Sequence, residues 1–215
     1  MADRHFSFVY STLILILLSC CFSMPLPNVP HSEPIPSEIV CKSTPYPDLC
    51  TSMFLGNKPR NIFDCCRFSI HKSVSTAREL LYLVDRHLRN RSSLSKIAIR
   101  ALEDCQLLAE LNMDFLLSSF KTVNSTNSLA SFQTDNVQSL LSAILTNQQT
   151  CLDGLKATPM AWSVKSGLYN CLSNGTMMYS VSLALFTHGW VHEKNKAKPG
   201  RNLFSPQNHH LPLTM

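Results

Sequence analysis

The sequence predicts an all-α protein, an antiparallel four-helix bundle stapled by disulfides. Four long stretches carry apolar residues at steps of three and four, and no stretch alternates with the period of two that a strand requires. The connections between these stretches are short and polar, which favours antiparallel neighbours. Cys41 and Cys50 bracket the loop Lys42-Ser43-Thr44-Pro45-Tyr46-Pro47-Asp48-Leu49, while Cys105 and Cys151 fall on the apolar stripes of two predicted helices. That layout reads as one local staple and one staple between helices.

Residues 1–24 hold Arg4 and His5, then an apolar run from Phe8 to Phe22 and small residues near Ser23, the pattern of a secretory signal peptide. The run is shorter than the roughly 20 residues a membrane span needs, so no membrane association is expected after cleavage. Secretion permits disulfides. Of the 9 cysteines, removal of Cys20 and Cys21 leaves an odd number, so at least one of Cys65, Cys66 and Cys171 is free or pairs outside the chain. Residues 25–37 contain Pro25, Pro27, Pro30, Pro34 and Pro36 and read as an extended linker. One domain is expected over residues 38–191, and residues 192–215 read as a disordered basic tail.

The first long helix is expected from Ile62 to Leu88, with Cys66, Ile70, Val74, Ala77, Leu81, Val84 and Leu88 on one face. The second begins with Ser92 or Ser93 as N-cap and places Leu94, Ile97, Ala101, Cys105, Leu108, Asn112 and Phe115 in one sector. The third is capped by Thr134, carries Val137, Leu141, Ile144, Gln148, Cys151 and Leu155 inward, and has Gly154 and Pro159 as its end signals. The fourth runs from about Trp162 to Val191, with Leu168, Cys171, Leu172, Met178, Leu183 and Phe186 apolar and Gly175 weakening it. Cys66 and Cys171 both face the core, a candidate third pair.

The formal net charge of +5 is unevenly spread. Residues 57–100 are rich in Lys and Arg, whereas residues 101–155 hold Lys121 against Glu103, Asp104, Glu110, Asp114, Asp135 and Asp153. No nucleic-acid motif accompanies the basic half, and a secreted chain does not meet nucleic acid, so that class is set aside. At 100° per residue Glu103, Glu110 and Asp114 form a stripe opposite the core sector of the second helix, either a solvated face or a docking surface for a basic partner. Asn90-Arg91-Ser92, Asn124-Ser125-Thr126 and Asn174-Gly175-Thr176 are acceptors for N-glycosylation, two of them in expected inter-helix turns. His188 and His192 lie four apart but lack a third ligand, so no metal site is expected.

The Cys41–Cys50 loop with Thr44 and Tyr46, the run Ala101-Leu102-Glu103-Asp104-Cys105 and the run Thr150-Cys151-Leu152-Asp153-Gly154 together resemble the plant invertase and pectin methylesterase inhibitor family. The resemblance implies a four-helix bundle with an N-terminal helical hairpin, and disulfides joining Cys41 to Cys50 and Cys105 to Cys151. It also implies a non-enzymatic, cofactor-free, monomeric inhibitor that binds a pectin methylesterase through helices two to four. Glu103, Glu110, Asp114, Thr150 and Asp153 are then the expected contact residues.

More narrowly, Leu172-Ser173-Asn174, the run Tyr179 to Thr187 and Gly189-Trp190-Val191 resemble the inhibitor-like pro-region of plant pectinesterases. The strand repeats of the esterase that follows such a pro-region are not found in residues 192–215. A truncated pectinesterase precursor is therefore one alternative, and an acid invertase inhibitor of the same fold is another. A third, a secreted lipid-binding helical protein, is suggested by the adjacent Cys65-Cys66, which resembles plant lipid-transfer proteins, although their Cys-x-Cys element is missing.

Overall fold

The computed structural model describes residues 36–192 apart from residues 58, 60, 160 and 161. The expected signal peptide, nearly all of the Pro-rich linker and the tail lie outside the described residues. Helices α1 (Ser37–Cys41) and α2 (Pro47–Met53) form an N-terminal hairpin closed by the Cys41–Cys50 disulfide, with Cα atoms 5.5 Å apart. Pro47 opens α2 at a position where no amide hydrogen is needed. Inside the turn, the buried Thr44 hydroxyl donates to the Cys41 carbonyl at 2.8 Å. Gly56, at φ 82°, turns the chain out of the hairpin in a conformation that disfavours any residue with a Cβ.

Four long helices follow: α3 (Ile62–Arg89), α4 (Lys96–Asn124), α5 (Ser131–Ala157) and α6 (Trp162–Phe186). Each packs on the next, and α6 closes the ring against α3. Cross-links of consecutive helices run in opposite chain order, with the Cys105–Cys151 bridge and the bond from Lys165 to the Lys156 carbonyl as second links for α4–α5 and α5–α6, so the four helices alternate in direction. Arg67 and Asp85 of α3 bond Val123 and Gln106 of α4, Asn112 of α4 meets Ile144 of α5, and Gln148 of α5 meets Leu172 of α6. The Ser73 and Ser182 hydroxyls, 3.0 Å apart, join α3 to α6. Among the described residues there is no strand, and no helix is long and apolar enough to cross a membrane.

Helices α3 and α6 start where expected, at Ile62 and Trp162, while the starts of α4 and α5 differ from expectation. The amide of Asp64 bonds the Asn61 side chain at 2.9 Å, which caps α3. Residues Arg91–Ser93 form a single 3₁₀ turn, so Ser95, not Ser92 or Ser93, caps α4 by accepting from the Ala98 amide. Helix α5 starts at Ser131, one turn before Thr134, whose side chain is buried. There the Gln133 side chain accepts from the Ala130 amide, the return half of a capping box. Gly154 lies inside α5, which continues to Ala157. Beyond α6 the chain widens into a π turn, Thr187–Val191, that buries Gly189 and Trp190.

The core forms two apolar clusters. One joins the hairpin to the neighbouring ends of the helices through Phe54, Ile70, Leu116, Leu141, Tyr179, Phe186 and Trp190. The other surrounds the Cys105–Cys151 disulfide with Leu80, Val84, Leu102, Leu155, Leu168 and Leu172. Buried Asn112 and Gln148 stand between them and bond main-chain carbonyls of neighbouring helices. The inward sector of α4 is Ala98, Leu102, Cys105, Ala109, Asn112 and Leu116, one residue on from the expected one, and Ile97 is 62 % exposed. In α3 the inward position is Leu80, with Leu81 only partly buried; Met178 and Leu183 of α6 are likewise at the margin. Cys65, Cys66 and Cys171 are buried free thiols. Cys66 faces the Ser182 carbonyl in the first cluster and Cys171 belongs to the second, so the two do not pair.

Candidate functional site

The residues singled out by sequence fall on the outer surface of α4 and α5. Glu110 and Asp114 are exposed on α4, and with Glu103 they occupy a sector about 40° wide, centred about 140° from the middle of the buried sector. Glu103 is less free than the others. Its carboxylate pairs with Arg91 at 2.9 Å across the turn between α3 and α4, a half-exposed contact worth well under about 1 kcal/mol.

Thr150 and Asp153 are exposed on α5. The Thr150 hydroxyl donates to the Thr146 carbonyl at 2.9 Å. The Gln149 side-chain amide lies 2.9 Å from both oxygens of Asp153 and Lys156 Nζ lies at 3.4 Å. That amide first, then Lys156, holds the Asp153 carboxyl below its ordinary pKa. Asp153 is therefore an anion at neutral pH, already oriented along the helix surface.

Between the two helices runs an open groove of about 310 Å³ whose floor is the Cys105–Cys151 disulfide, with Cα atoms 4.8 Å apart. Ile97, Arg100, Asp104 and Leu108 wall it on α4, Thr150 and Gly154 on α5, and Thr158 just past the end of α5. Thr150 is thus the one expected contact residue that also lines the groove. A Cβ on Gly154 would meet nothing within 4 Å, so that glycine leaves room at the groove and is not required by packing.

Leu107 and Leu111, 58 % and 37 % exposed, stand between the groove and the acidic stripe. With Ile97 they make this face apolar as well as charged. Sequence reasoning missed them because it took the core sector of α4 one residue early, which placed Ile97 and Leu108 inside. The signal was present in Leu107, which lies about 160° from Cys105 around the helix and so falls outside a core sector built on that cysteine.

A second groove, about 620 Å³, lies at the hairpin end between Ser43 and Pro45, Leu145 of α5, and Leu183 and Ala184 of α6, with His188 and His192 at its edge. Those two imidazoles meet edge to face at 5.9 Å. Among the described residues, no group of three or more His, Cys, Asp or Glu side chains is placed to hold a metal ion.

The profile of the family described as "Plant invertase/pectin methylesterase inhibitor" matches residues 38–185. The chain belongs to that family. It is 43% identical over 179 residues, 81% of its length, to "Probable pectinesterase/pectinesterase inhibitor 41" of Arabidopsis thaliana, and covers 31% of that protein. It is 38% identical over 217 residues, 94% of its length, to "Probable pectinesterase/pectinesterase inhibitor 20" of the same plant, covering 38% of it. The chain thus spans about a third of the length of these curated relatives. A shorter Arabidopsis relative, "Pectinesterase inhibitor 11", is 27% identical and is covered over 94% of its length, with 82% of this chain aligned.

The fold is that of a solved pectin methylesterase inhibitor from Arabidopsis, described as mutant form A. The two superpose with TM-score 0.56 at 16% identity, over 69% of this chain and 93% of the other.

Proposed function

We propose that the domain is a secreted inhibitor that binds a cell-wall pectin methylesterase and blocks its cleft by occupying it. The observation that carries this reading is the α4–α5 face, where Leu107, Leu111 and Ile97 stand exposed beside Glu110, Asp114, Thr150 and Asp153 above the disulfide floor. Exposed leucines flanked by fixed charges suit a protein interface, in which apolar groups supply affinity and the charges set association rate and specificity. Occlusion of this kind needs no cofactor, and one copy of the bundle suffices. The family membership supports the partner class, and the relatives' names, "pectinesterase inhibitor" among them, favour pectin methylesterase over acid invertase.

The domain spans residues 38–191 in this reading, behind a leader over residues 1–24 and a linker over residues 25–37, with residues 192–215 as a dispensable tail. It has no esterase activity of its own. Glu103 lies on the surface of α4 paired with Arg91, and Asp153 on that of α5 beside Gln149 and Lys156; neither carboxylate is set against a second group placed for attack on an ester.

Release of methanol from pectin tests both halves. Added to a plant pectin methylesterase, the purified chain is expected to suppress release in proportion to its concentration, and alone it is expected to release none. Methanol from the chain alone, abolished by a point change in the bundle, would overturn the reading.

A second reading is that the domain is the inhibitor-like pro-region of a pectinesterase precursor. The proteins named pectinesterase/pectinesterase inhibitor, of which this chain covers about a third, favour it. Sequencing of the full transcript distinguishes the two, through the presence or absence of an esterase reading frame after residue 215.

A further inference from the structure

We infer that the outward face of α3 binds a linear polyanionic polysaccharide, the form pectin takes once its methyl esters are removed, through Arg78, Arg86 and Arg89 set around Tyr82. None of these residues lines the α4–α5 groove. The choice of polysaccharide rests on the inhibitor reading above, which places the chain beside an enzyme that frees carboxylates on pectin. The binding itself requires no esterase.

Arg78, Tyr82, Arg86 and Arg89 are all exposed, and at 100° per residue they fall within a sector about 80° wide, opposite the buried row of Ile70, Ala77, Leu80 and Val84. From Arg78 to Arg89 the row runs three turns, about 16 Å along the bundle. Other cations of the bundle are engaged. Arg67 donates to the Val123 and Thr126 carbonyls, Arg91 pairs with Glu103, Lys156 with Asp153, and Lys165 donates to the Lys156 carbonyl. Among the described residues no carboxylate pairs with Arg78, Arg86 or Arg89. The two acids of this stretch lie at the margins of the sector, each about 60° from Tyr82. Asp85 accepts from the Gln106 amide of α4 at 2.8 Å, and Glu79 lies on the side of Cys171 of α6.

Helix stability does not account for this row. The helix dipole favours cations in the last turn, which covers Arg86 and Arg89 but not Arg78, two turns earlier. Arg86 and Arg89, three apart and alike in charge, weaken the helix slightly. The residue types fit an acidic sugar chain. Each planar guanidinium offers paired N–H donors to a carboxylate, and a linear polymer sets its carboxylates along a line, as α3 sets the arginines. Tyr82, 57 % exposed in the middle of the row, presents an apolar ring face to the C–H side of a sugar and a hydroxyl to its oxygens. An anionic membrane surface would require a row of apolar side chains beside the cations, and on α3 Tyr82 is the one exposed large apolar side chain.

The test uses the full secreted chain, with and without enzymatic removal of N-glycans because the acceptor Asn90 adjoins Arg89, and measures binding to polygalacturonate, fully methyl-esterified pectin and polyglutamate. The same pattern should hold in both forms. Polygalacturonate should bind, more weakly as salt rises, and the uncharged esterified pectin should not. The triple variant Arg78→Gln, Arg86→Gln, Arg89→Gln should lose about tenfold or more in affinity with its far-ultraviolet helical signal intact. Lys194→Gln, Lys196→Gln, Lys198→Gln removes the same charge from the tail and should stay within about twofold of the parent. Tyr82→Ala should weaken binding to polygalacturonate by about threefold or more and leave polyglutamate unaffected.

Equal losses in the two triple variants, or a Tyr82→Ala chain that binds polygalacturonate like the parent, would reduce the row to general charge and overturn the assignment. So would a parent chain that ignores polygalacturonate at low salt, or one that binds vesicles of anionic lipid in its place. A chain that binds polygalacturonate through this row and leaves pectin methylesterase active upholds the assignment and removes the inhibitor reading. A chain that inhibits the esterase without binding the polymer does the reverse.

Discussion

A Cβ on Gly175 would stand 2.5 Å from Nε2 of Gln148, the buried amide that donates to the Leu172 carbonyl at 3.0 Å. By helix propensity alone Gly175 weakens α6 by about 1 kcal/mol relative to Ala. The packing reverses that sign, because only a glycine lets the amide of α5 reach the backbone of α6.

Gly175→Ala should therefore destabilise the domain by about 1–3 kcal/mol, the cost of a displaced buried amide. Gly154→Ala should stabilise it by about 0.5–1 kcal/mol, since its Cβ meets nothing within 4 Å. Thermal melts of the two variants check this, with shifts of opposite sign expected.

Opening the Cys105–Cys151 link removes a 46-residue loop constraint and leaves a thiol in the second core cluster. Cys105→Ser should lower stability by about 4 kcal/mol by the chain-entropy argument, against about 2.5 kcal/mol for Cys50→Ser, which opens a separation of 9. Urea unfolding of both variants measures the difference. The first should also weaken inhibition, because its disulfide is the floor of the groove.

Much of this architecture is legible in the sequence, because four long helices that each bury one stripe write their spacing plainly. All six residues expected inward on α5, from Val137 to Leu155, are buried. The inward row of α4 was harder. Two of its members are alanines, Ala98 and Ala109, which give a weaker apolar signal than the adjacent Ile97 and Leu108. The start of α4 was ambiguous for a similar reason. Ser92, Ser93 and Ser95 are all capable caps, and the extended backbone of Leu94 that selects Ser95 has no strong local signature.

Glu103, Glu110 and Asp114 were correctly placed outward, but the Arg91 partner of Glu103 lies across a turn that spacing rules do not reach. The role of Gly175 required knowledge of what α5 presents to it.

The acidic row should contribute to recognition more than to stability. Replacing Glu110 and Asp114 with Ser should change the melting free energy by less than about 0.5 kcal/mol, as both are exposed. Association with a pectin methylesterase should slow and become less sensitive to salt. Adding Glu103→Ser should have a smaller further effect, since Arg91 already neutralises that carboxylate. Stopped-flow binding at two ionic strengths provides the check, and unchanged rates at low salt would assign the row to solvation.

Burial raises the Cys65 thiol to about 12 and the Cys171 thiol to about 11, from an ordinary value of 9.0; nearby Asp64 and Glu79 add to the respective shifts. Cys66 and Tyr179 are pushed up as well, chiefly by burial. Groups with folded pKa values above their unfolded ones bind protons more tightly in the native state, so their contribution is fully present below pH 9 and is lost as pH rises from there through 11 and 12. Stability should accordingly fall between pH 9 and 11, and thiol reagents at pH 8 should label the three cysteines only after unfolding. Denaturation monitored across that pH range, with mass spectrometry of alkylated peptides, tests both statements.

The most direct measurement is a calorimetric titration of the secreted chain into a plant pectin methylesterase and, in parallel, into an acid invertase, with residual activity of each enzyme read at every step. A saturable one-to-one complex with the pectin methylesterase is expected, with loss of methanol release in step with binding and no complex with the invertase. Saturable binding and inhibition of the invertase, with the pectin methylesterase untouched, would contradict it.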